Sequence, residues 1–372
     1  MKSNGKVALL MVHTSPLEQA GTGDAGGMNI YVIESAKRMA AVGVQVDIFT
    51  RRISVDQPEI IEYEKGIRII HLSLPVGKKK EEIPSLIPAM AEEFKQKIKG
   101  QGYQIIHSHY WISGKVAMPA AKEFGIPLVH TMHTMARVKN ASLAEGESPE
   151  PMIRIQGETQ IVEAADALIA NTDAEAACLV GQYDACPDNV QVVTPGVDLY
   201  SFTPYRSNAR KNLNLDASKL IISFVGRIQP HKGTEVLVRA ISEMMSHNPE
   251  LRSHLQVLIT GGTSGARSDE ATRIHELVNW LKLDDVIKFL PPMGRQELPD
   301  LYRASDLVCV PSYSESFGLV ALEAQACGTP VVASAVGGLR TAVADGISGV
   351  LVDGHNPKAW SSVIARLLME PQ

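Results

Sequence analysis

Two carboxylates and two cations in the second half of this 372-residue chain have types and spacings that could do chemistry. Glu315 and Glu323 lie in the segment Pro311-Ser312-Tyr313-Ser314-Glu315-Ser316-Phe317-Gly318-Leu319-Val320-Ala321-Leu322-Glu323-Ala324. A strand should end before it and a helix should start after Gly318, placing Glu315 in a loop and Glu323 inside the helix. Carboxylates only accept hydrogen bonds, so one could face a sugar ring and the other ribose hydroxyls. A Glu pair on a solvated helix face is the plain alternative. The apolar flank from Ser316 to Val320 weighs against it and puts both carboxylates at a structured cleft edge.

Upstream, Phe224-Val225-Gly226-Arg227 ends another strand, and Gln229-Pro230-His231-Lys232-Gly233 follows. Arg227 can grip phosphate oxygens with a planar fork and Lys232 adds a point charge. Together they suit a diphosphate that gains negative charge as it leaves. A solvated Lys-Gly turn after Pro230 is the competing explanation.

In the first half, Gly21-Thr22-Gly23-Asp24-Ala25-Gly26-Gly27 should join the first strand to the first helix, where backbone N–H groups could cradle an anion. The string matches the G-x-G-x-x-G pattern. Its first glycine nevertheless falls well past the strand end, not on the tight turn a dinucleotide site needs, so ligand contact of another kind fits better. Histidines cluster at His107-Ser108-His109 and His130-Thr131-Met132-His133, each at a strand end. No cysteine or carboxylate at suitable spacing completes a metal set, so these read as hydrogen-bonding walls of a cleft. Lys78-Lys79-Lys80 and Arg154 would be solvated charges unless a ligand is anionic.

The elements that must position these residues alternate between short β-branched runs and helical patterns, the signature of βαβ units on parallel sheets. The expected strands of the first half are Lys6–His13, Val44–Thr50, Ile67–Leu72, Gln104–His107, Pro127–His130, Ala167–Ala170 and Val190–Val193. The helix over Tyr31–Ala41 closes the first unit. The pattern restarts after Thr194-Pro195-Gly196 with Lys219–Val225, Leu255–Thr260, Val286–Leu290, Leu307–Val310, Pro330–Ala333 and Gly349–Val352. The length is right for two domains, taken as 1–200 and 201–372. Open α/β sheets bind ligands beyond the carboxyl ends of their strands, so two such halves should share a cleft.

Composition narrows the classes further. With 45% hydrophobic, 21% charged and 5% aromatic residues, the chain reads as a soluble α/β protein. A net charge of −5 argues against nucleic acid as a partner. Four cysteines without C-x-x-C spacing read as reduced thiols in the cytoplasm. No apolar stretch reaches membrane-spanning length.

Taken together, the Gly-Arg…Lys-Gly and Glu-x7-Glu elements resemble the family 4 retaining glycosyltransferases of the GT-B fold, over essentially the whole chain. More narrowly, His13-Thr14-Ser15-Pro16, Gly21 to Tyr31, His107-Ser108-His109-Tyr110-Trp111 and His130-Thr131-Met132-His133-Thr134 resemble the branch that glycosylates inositol 3-phosphate at the start of mycothiol biosynthesis. The resemblance implies a retaining hexosyltransferase with UDP-N-acetylglucosamine as donor and 1D-myo-inositol 3-phosphate as acceptor. It implies that Arg227 and Lys232 bind the diphosphate, Glu315 the sugar hydroxyls, Glu323 the ribose and the Met293 backbone the uracil, with Gln19, Ala20 and Gly27 also bordering the donor. His133 would lie beside the reacting sugar and join Glu315, Arg227 and Lys232 in the catalytic group.

On the acceptor side, His13, Asp24, Ala25, Gly26, Gly27, Met28 and Asn29 would line the inositol, while Lys80, Tyr110, Thr134 and Arg154 would hold its phosphate. No cofactor is required for the chemistry. A structural magnesium at Tyr302, Arg303, Ser305 and Thr329, held through backbone carbonyls, belongs to the family pattern, and a homodimer is an assembly it allows. Ala20 stands where the branch usually has Pro, and relatives continue past the position of Gln372 into a helical segment. Two rivals stay open: a sucrose-phosphate-synthase-like transferase with another sugar phosphate, and a non-catalytic nucleotide-sugar-binding protein.

Overall fold

The computed structural model describes residues 5–73, 76, 78, 80–144, 147–205, 208–262 and 269–369, with the side chains of 80 and 81 outside that description. Two compact units emerge. The first comprises Met1–Ala20, Ala25–Ala141 and Pro149–Thr194, and the second Gly21–Asp24, Ser142–Ser148 and Pro195–Gln372.

The first unit carries eight strands: β1 (Lys6–Leu10), β2 (Gln45–Arg51), β3 (Ile60–Glu64), β4 (Ile67–Leu72), β5 (Ile105–His109), β6 (Leu128–Thr131), β7 (Ala167–Ala170) and β8 (Val190–Val192). Their order in the sheet is β3-β4-β2-β1-β5-β6-β7-β8. All neighbours are parallel except the edge pair β3/β4. Helices α1 (Gly27–Ala41), α2 (Ile87–Ile98), α3 (Trp111–Phe124), α4 (Ala136–Ala141), α5 (Met152–Ala164) and α6 (Asp173–Tyr183) connect them. β1 is apolar along Val7-Ala8-Leu9-Leu10 because it is covered on both faces, as a central parallel strand must be. Phe49 on β2 fills one side, its ring 5.0 Å from Phe94 of α2 and edge-on to it.

The second unit has six strands: β9 (Leu220–Val225), β10 (Leu255–Thr260), β11 (Ile287–Leu290), β12 (Leu307–Val310), β13 (Val331–Ser334) and β14 (Gly349–Val352). All are parallel, in the order β11-β10-β9-β12-β13-β14. Counted from β9 this is 3-2-1-4-5-6, the doubly wound order. Its helices are α7 (Ala209–Asn212), α8 (Thr234–His247), α9 (Asp269–Trp280), α10 (Leu298–Ala304), α11 (Leu319–Ala326), α12 (Leu339–Ala342) and α13 (Pro357–Met369). On α13, Trp360, Ile364 and Leu368 recur every four residues as a buried stripe in the core that also holds Val236, Ala240 and Met244 of α8.

Three local expectations change. β1 ends at Leu10, not His13, although Met11 still donates its N–H to Phe49 O at 2.9 Å. Helix α1 starts at Gly27, four residues before the apolar period begins, because Asn29 reaches back to accept the Gly26 N–H at 3.0 Å. β3 was not expected. Its Ile60-Ile61-Glu62-Tyr63-Glu64 run alternates charge with apolar residues, the pattern of an exposed edge.

Candidate active site

In the second unit, β9 and β12 are neighbours whose connections leave in opposite directions, which makes the gap beyond their carboxyl ends the topological switch point. β9 delivers Gly226-Arg227 and the short turn Pro230–Lys232, and β12 delivers the loop that carries Glu315 into α11. Tyr313 donates its N–H to His231 O at 2.8 Å, joining the two loops. Gly233 sits with φ +70°, and a Cβ there would come 1.9 Å from Pro311 O, so only glycine lets the turn lie this close. Gly338, after β13, donates its N–H to Glu315 O at 2.8 Å, and the His355 ring stacks on Tyr313 with centroids 3.7 Å apart. The loop bearing Glu315 is therefore held from three sides.

Lys232 Nζ donates to Glu315 Oε2 at 2.6 Å. Burial alone would raise the Glu315 carboxyl, but the adjacent Lys232 ammonium outweighs it and holds the group below the ordinary carboxylate range. Arg227 Nη1 stands 3.8 Å from Asp24 Oδ1, a member of the same unit.

Glu323, inside α11, is buried and has a different environment. Tyr302 donates its hydroxyl to Glu323 Oε2 at 3.0 Å, and Arg295 Nη1 lies 3.9 Å from Oε1. Burial pushes this carboxyl up to about 7, against the pull of Tyr302 and Arg295. The two glutamates thus differ in charge at neutral pH: Glu315 is ionised, whereas Glu323 is poised. Met293 is half-buried on the segment after β11.

Tyr302, Arg303, Ser305 and Thr329 do come together at the end of α10. Tyr302 O accepts from the Thr329 hydroxyl at 2.6 Å and from the Ser305 N–H at 3.1 Å, while Ser305 Oγ donates to Leu301 O at 2.7 Å. Arg303 reaches the carbonyls of Thr203 and Ser201. With no carboxylate in the set and the Tyr302 carbonyl already taken by two donors, these residues fit a hydrogen-bonded helix terminus better than a hard divalent cation. Among the described residues, no group of three or more His, Cys, Asp or Glu could hold a metal ion.

The first unit has its own switch point between β1 and β5. There His13 and Tyr110 meet with ring centroids 4.6 Å apart, and Tyr110 takes a left-handed backbone, φ 69°. His133, past β6, is also left-handed at φ 61°, a strain that a non-glycine residue keeps only where its surroundings impose it. His109 Nδ1 lies 2.9 Å from His133 Nε2, with the Tyr31 ring 5.0 Å from His133 and edge-on to it. Burial drives His133 down to about 3 and His109 well below the usual imidazole range, with the His107 ring adding to both shifts. Both imidazoles are therefore neutral and one N–H serves the bond. His109 Nε2 is sealed and unpartnered, and a buried N–H without an acceptor is the rarer defect, which puts the proton on His109 Nδ1. His133 Nε2 accepts, so its own proton is on Nδ1.

Arg154 of α5 is only 2% exposed. Its Nε donates to Glu158 at 2.7 Å, its Nη2 to the Thr134 carbonyl at 3.0 Å and hydroxyl at 2.9 Å, and Nη1 lies 2.9 Å from Glu150 Oε2. The guanidinium also lies 4.9 Å from the centre of the Tyr110 ring. Tyr110, Thr134 and Arg154 are thus one cluster, whereas Lys80 has its side chain outside the described residues. In the glycine loop, Ala25 is buried, Gly27 exposed and Met28 half-buried. Asn29 is buried and occupied locally, bonding Ser15 O at 2.7 Å, the Thr14 hydroxyl at 3.1 Å and the Gly26 N–H. Gln19 is exposed beside a half-buried Ala20.

Sequence reasoning passed over Gly338, Tyr302 as partner of Glu323, and Glu150. Only the Gly337-Gly338 pair after a strand carried a readable signal, a double glycine where a backbone must pass close to another.

Two family models match, one described as glycosyl transferases group 1 over residues 206–372 and one as glycosyltransferase family 4 over residues 25–200. A Salinispora arenicola protein named D-inositol 3-phosphate glycosyltransferase is 50% identical over 98% of this chain and 84% of its own length. One of the same name from Actinosynnema mirum is 50% identical over 98% of this chain and 89% of its own. The chain belongs to the D-inositol 3-phosphate glycosyltransferase family. Among solved structures, sucrose-phosphate synthase from Thermosynechococcus elongatus superposes with TM-score 0.91 at 35% identity, covering 99% of this chain and 90% of that one. The Anabaena protein HepE, solved with UDP and glucose, shares the fold at TM-score 0.78 and 20% identity, covering 99% and 90% of the two chains. The chain is thus a glycosyltransferase of the GT-B fold, two doubly wound Rossmann-like units. No helix among the described residues is long and apolar enough to cross a membrane.

Proposed function

We propose that this glycosyltransferase moves N-acetylglucosamine from UDP-N-acetylglucosamine to 1D-myo-inositol 3-phosphate with retention at the anomeric carbon, the first step of mycothiol biosynthesis. The observation that carries the acceptor is the 50% identity, across 98% of the chain, to relatives named for inositol 3-phosphate. The cluster of Tyr110, Thr134 and Arg154 supports it by offering a buried cation where an anionic acceptor needs one.

On this reading Arg227 and Lys232 receive the diphosphate at the β9/β12 switch point, Glu315 orients the sugar hydroxyls, Glu323 takes ribose hydroxyls and the Met293 backbone takes the uracil. Gln19, Ala20 and Gly27 border the donor. His13, Asp24, Met28 and their neighbours line the inositol. His133, with its proton on Nδ1, has a donor for a sugar hydroxyl. The bond from the anomeric carbon to the β-phosphate oxygen breaks with its electron pair going to that oxygen. The acceptor hydroxyl oxygen bonds the same face of the carbon, and its proton passes to the departing phosphate. Lys232 and Arg227 stabilise the developing charge, so positioning and electrostatics do the catalysis without a protein nucleophile.

UDP release measured with inositol 3-phosphate and with free inositol tests the acceptor; equal rates would refute it. The likeness to sucrose-phosphate synthase at 35% identity favours one alternative, a different sugar-phosphate acceptor. A panel including fructose 6-phosphate separates the two, because only the favoured acceptor should give a high kcat/KM.

A further inference from the structure

Arg154 is held by two carboxylates of unlike character. Glu158 is fully buried, and besides Arg154 it accepts the Ala136 N–H at 2.9 Å and the Tyr183 hydroxyl. Removing it would leave those donors buried and unpaired, so it is a fixed part of the core. Glu150 lies outside the helix, just before Pro151, with its side chain 19% exposed. Its backbone is pinned, the N–H donating to Asn140 Oδ1 at 2.7 Å, while its carboxylate bridges Arg154 Nη1 and the Lys139 ammonium. Both of those partners can instead be served by another anion, and the Glu150 side chain can turn to solvent without moving its backbone.

Of the three guanidinium nitrogens of Arg154, Nε is engaged by Glu158 and Nη2 by Thr134. That leaves Nη1, which faces Glu150. We propose that Glu150 is a resident anion in the phosphate subsite, a carboxylate that fills the place of the acceptor's phosphate on Arg154 and Lys139 and leaves when that phosphate binds. The inference rests on the acceptor reading above and adds a specificity-determining residue to it. A phosphate carries more charge and more acceptor oxygens than the carboxylate it displaces, so it can win the exchange. A neutral acceptor cannot. If the Glu150-occupied arrangement holds about nine tenths of the molecules, apparent acceptor affinity is lowered about tenfold.

The test is Glu150→Gln, which keeps the shape and removes the charge, with Glu150→Ala as a second variant that leaves Arg154 its Glu158 and Thr134 partners. The KM for inositol 3-phosphate and the inhibition constant of inorganic phosphate are measured, with thermal melting and UDP affinity as references for folding. Both constants should fall about tenfold in the variants. A rise, or no change, in folded variants would overturn the proposal, since Glu150 would then merely orient Arg154. If the wild-type protein uses free inositol as well as inositol 3-phosphate and phosphate does not inhibit, the acceptor reading itself falls and takes this proposal with it.

Discussion

Lys232 Nζ lies 2.6 Å from Glu315 Oε2, so the cation proposed above for the diphosphate and the carboxylate proposed for the sugar are a single ion pair across two loops. Each holds the other in place, and their substitutions should not add. Glu315→Gln is expected to lower kcat by about 10²- to 10³-fold while changing the UDP dissociation constant less than about threefold. Lys232→Ala should reduce kcat to a similar extent and also weaken UDP. The double variant should lose far less than the product of the two. Steady-state kinetics with calorimetric UDP binding checks this, and wild-type turnover in Glu315→Gln would contradict the site.

Glu323 provides a pH signature. Its carboxyl is raised by burial from an ordinary 4.5 to about 7, so the folded protein favours the protonated form. The sign follows: the stability from this group is fully present below pH 4.5 and is lost as pH rises through about 7, a difference of about 3 kcal/mol at about 1.4 kcal/mol per unit. Ribose hydroxyls donate to a carboxylate, so UDP should bind more tightly as pH rises through the same range. Glu175, also raised to about 7 by burial, contributes to the stability curve of the wild type. The difference between wild type and Glu323→Gln isolates Glu323. Calorimetry across pH 5 to 9 should show a Glu323-dependent inflection as the difference between wild type and variant, over and above the titration of UDP's own terminal phosphate at about 6, which both proteins share.

How much of this could be read in the chain beforehand depends on what each feature is made of. Parallel strands such as Leu255–Thr260 and Leu307–Val310 are buried at every position and mostly apolar because both faces are covered, and composition alone reveals them. The Glu315 and Arg227 loops were legible because strand ends, glycines and charges coincide there. β3 was not, since Ile60 to Glu64 alternates with charge on an exposed edge and lacks the apolar run. The first turn of α1 was hidden because Gly26 and Gly27 break the apolar period, while the Asn29 reach-back that starts the helix is a side-chain geometry. The Lys232–Glu315 pair depends on how two loops meet in space, which spacing along the chain does not encode. Glu150, four residues before Arg154, lies ahead of the start of α5, so the i,i+4 rule for two residues on one helix does not reach it.

Gly338 is the clearest case of a position fixed by backbone proximity. A Cβ there would stand 2.2 Å from Ser316 O and 2.3 Å from Phe317 Cα, both main-chain atoms that cannot give way without moving the Glu315 loop. Gly338→Ala should therefore lower kcat at least about tenfold and destabilise the protein by about 1–3 kcal/mol, although the residue bears no functional group. Thermal melting and kinetics read both effects. Unchanged kcat with a lowered melting temperature would mean that the loop relaxes without disturbing Glu315.

His109 acts on His133 through one hydrogen bond of 2.9 Å. With His109 donating from Nδ1, the neutral His133 keeps its proton on Nδ1 and is oriented by Tyr31 on its flank. Loss of the bond in His109→Ala removes one of the contacts that fix the His133 ring and its tautomer, and kcat should fall about tenfold with little change in the KM for donor. His109→Asn places an amide N–H where Nδ1–H stood and should restore most of the rate, which a purely packing role would not predict. Nitrogen-15 spectra of histidine-labelled protein should show His133 as the Nδ1–H tautomer and uncharged at pH 5, since burial holds it near 3. A protonated His133 at that pH, or equal losses in the Ala and Asn variants, would remove His109 from any positioning role.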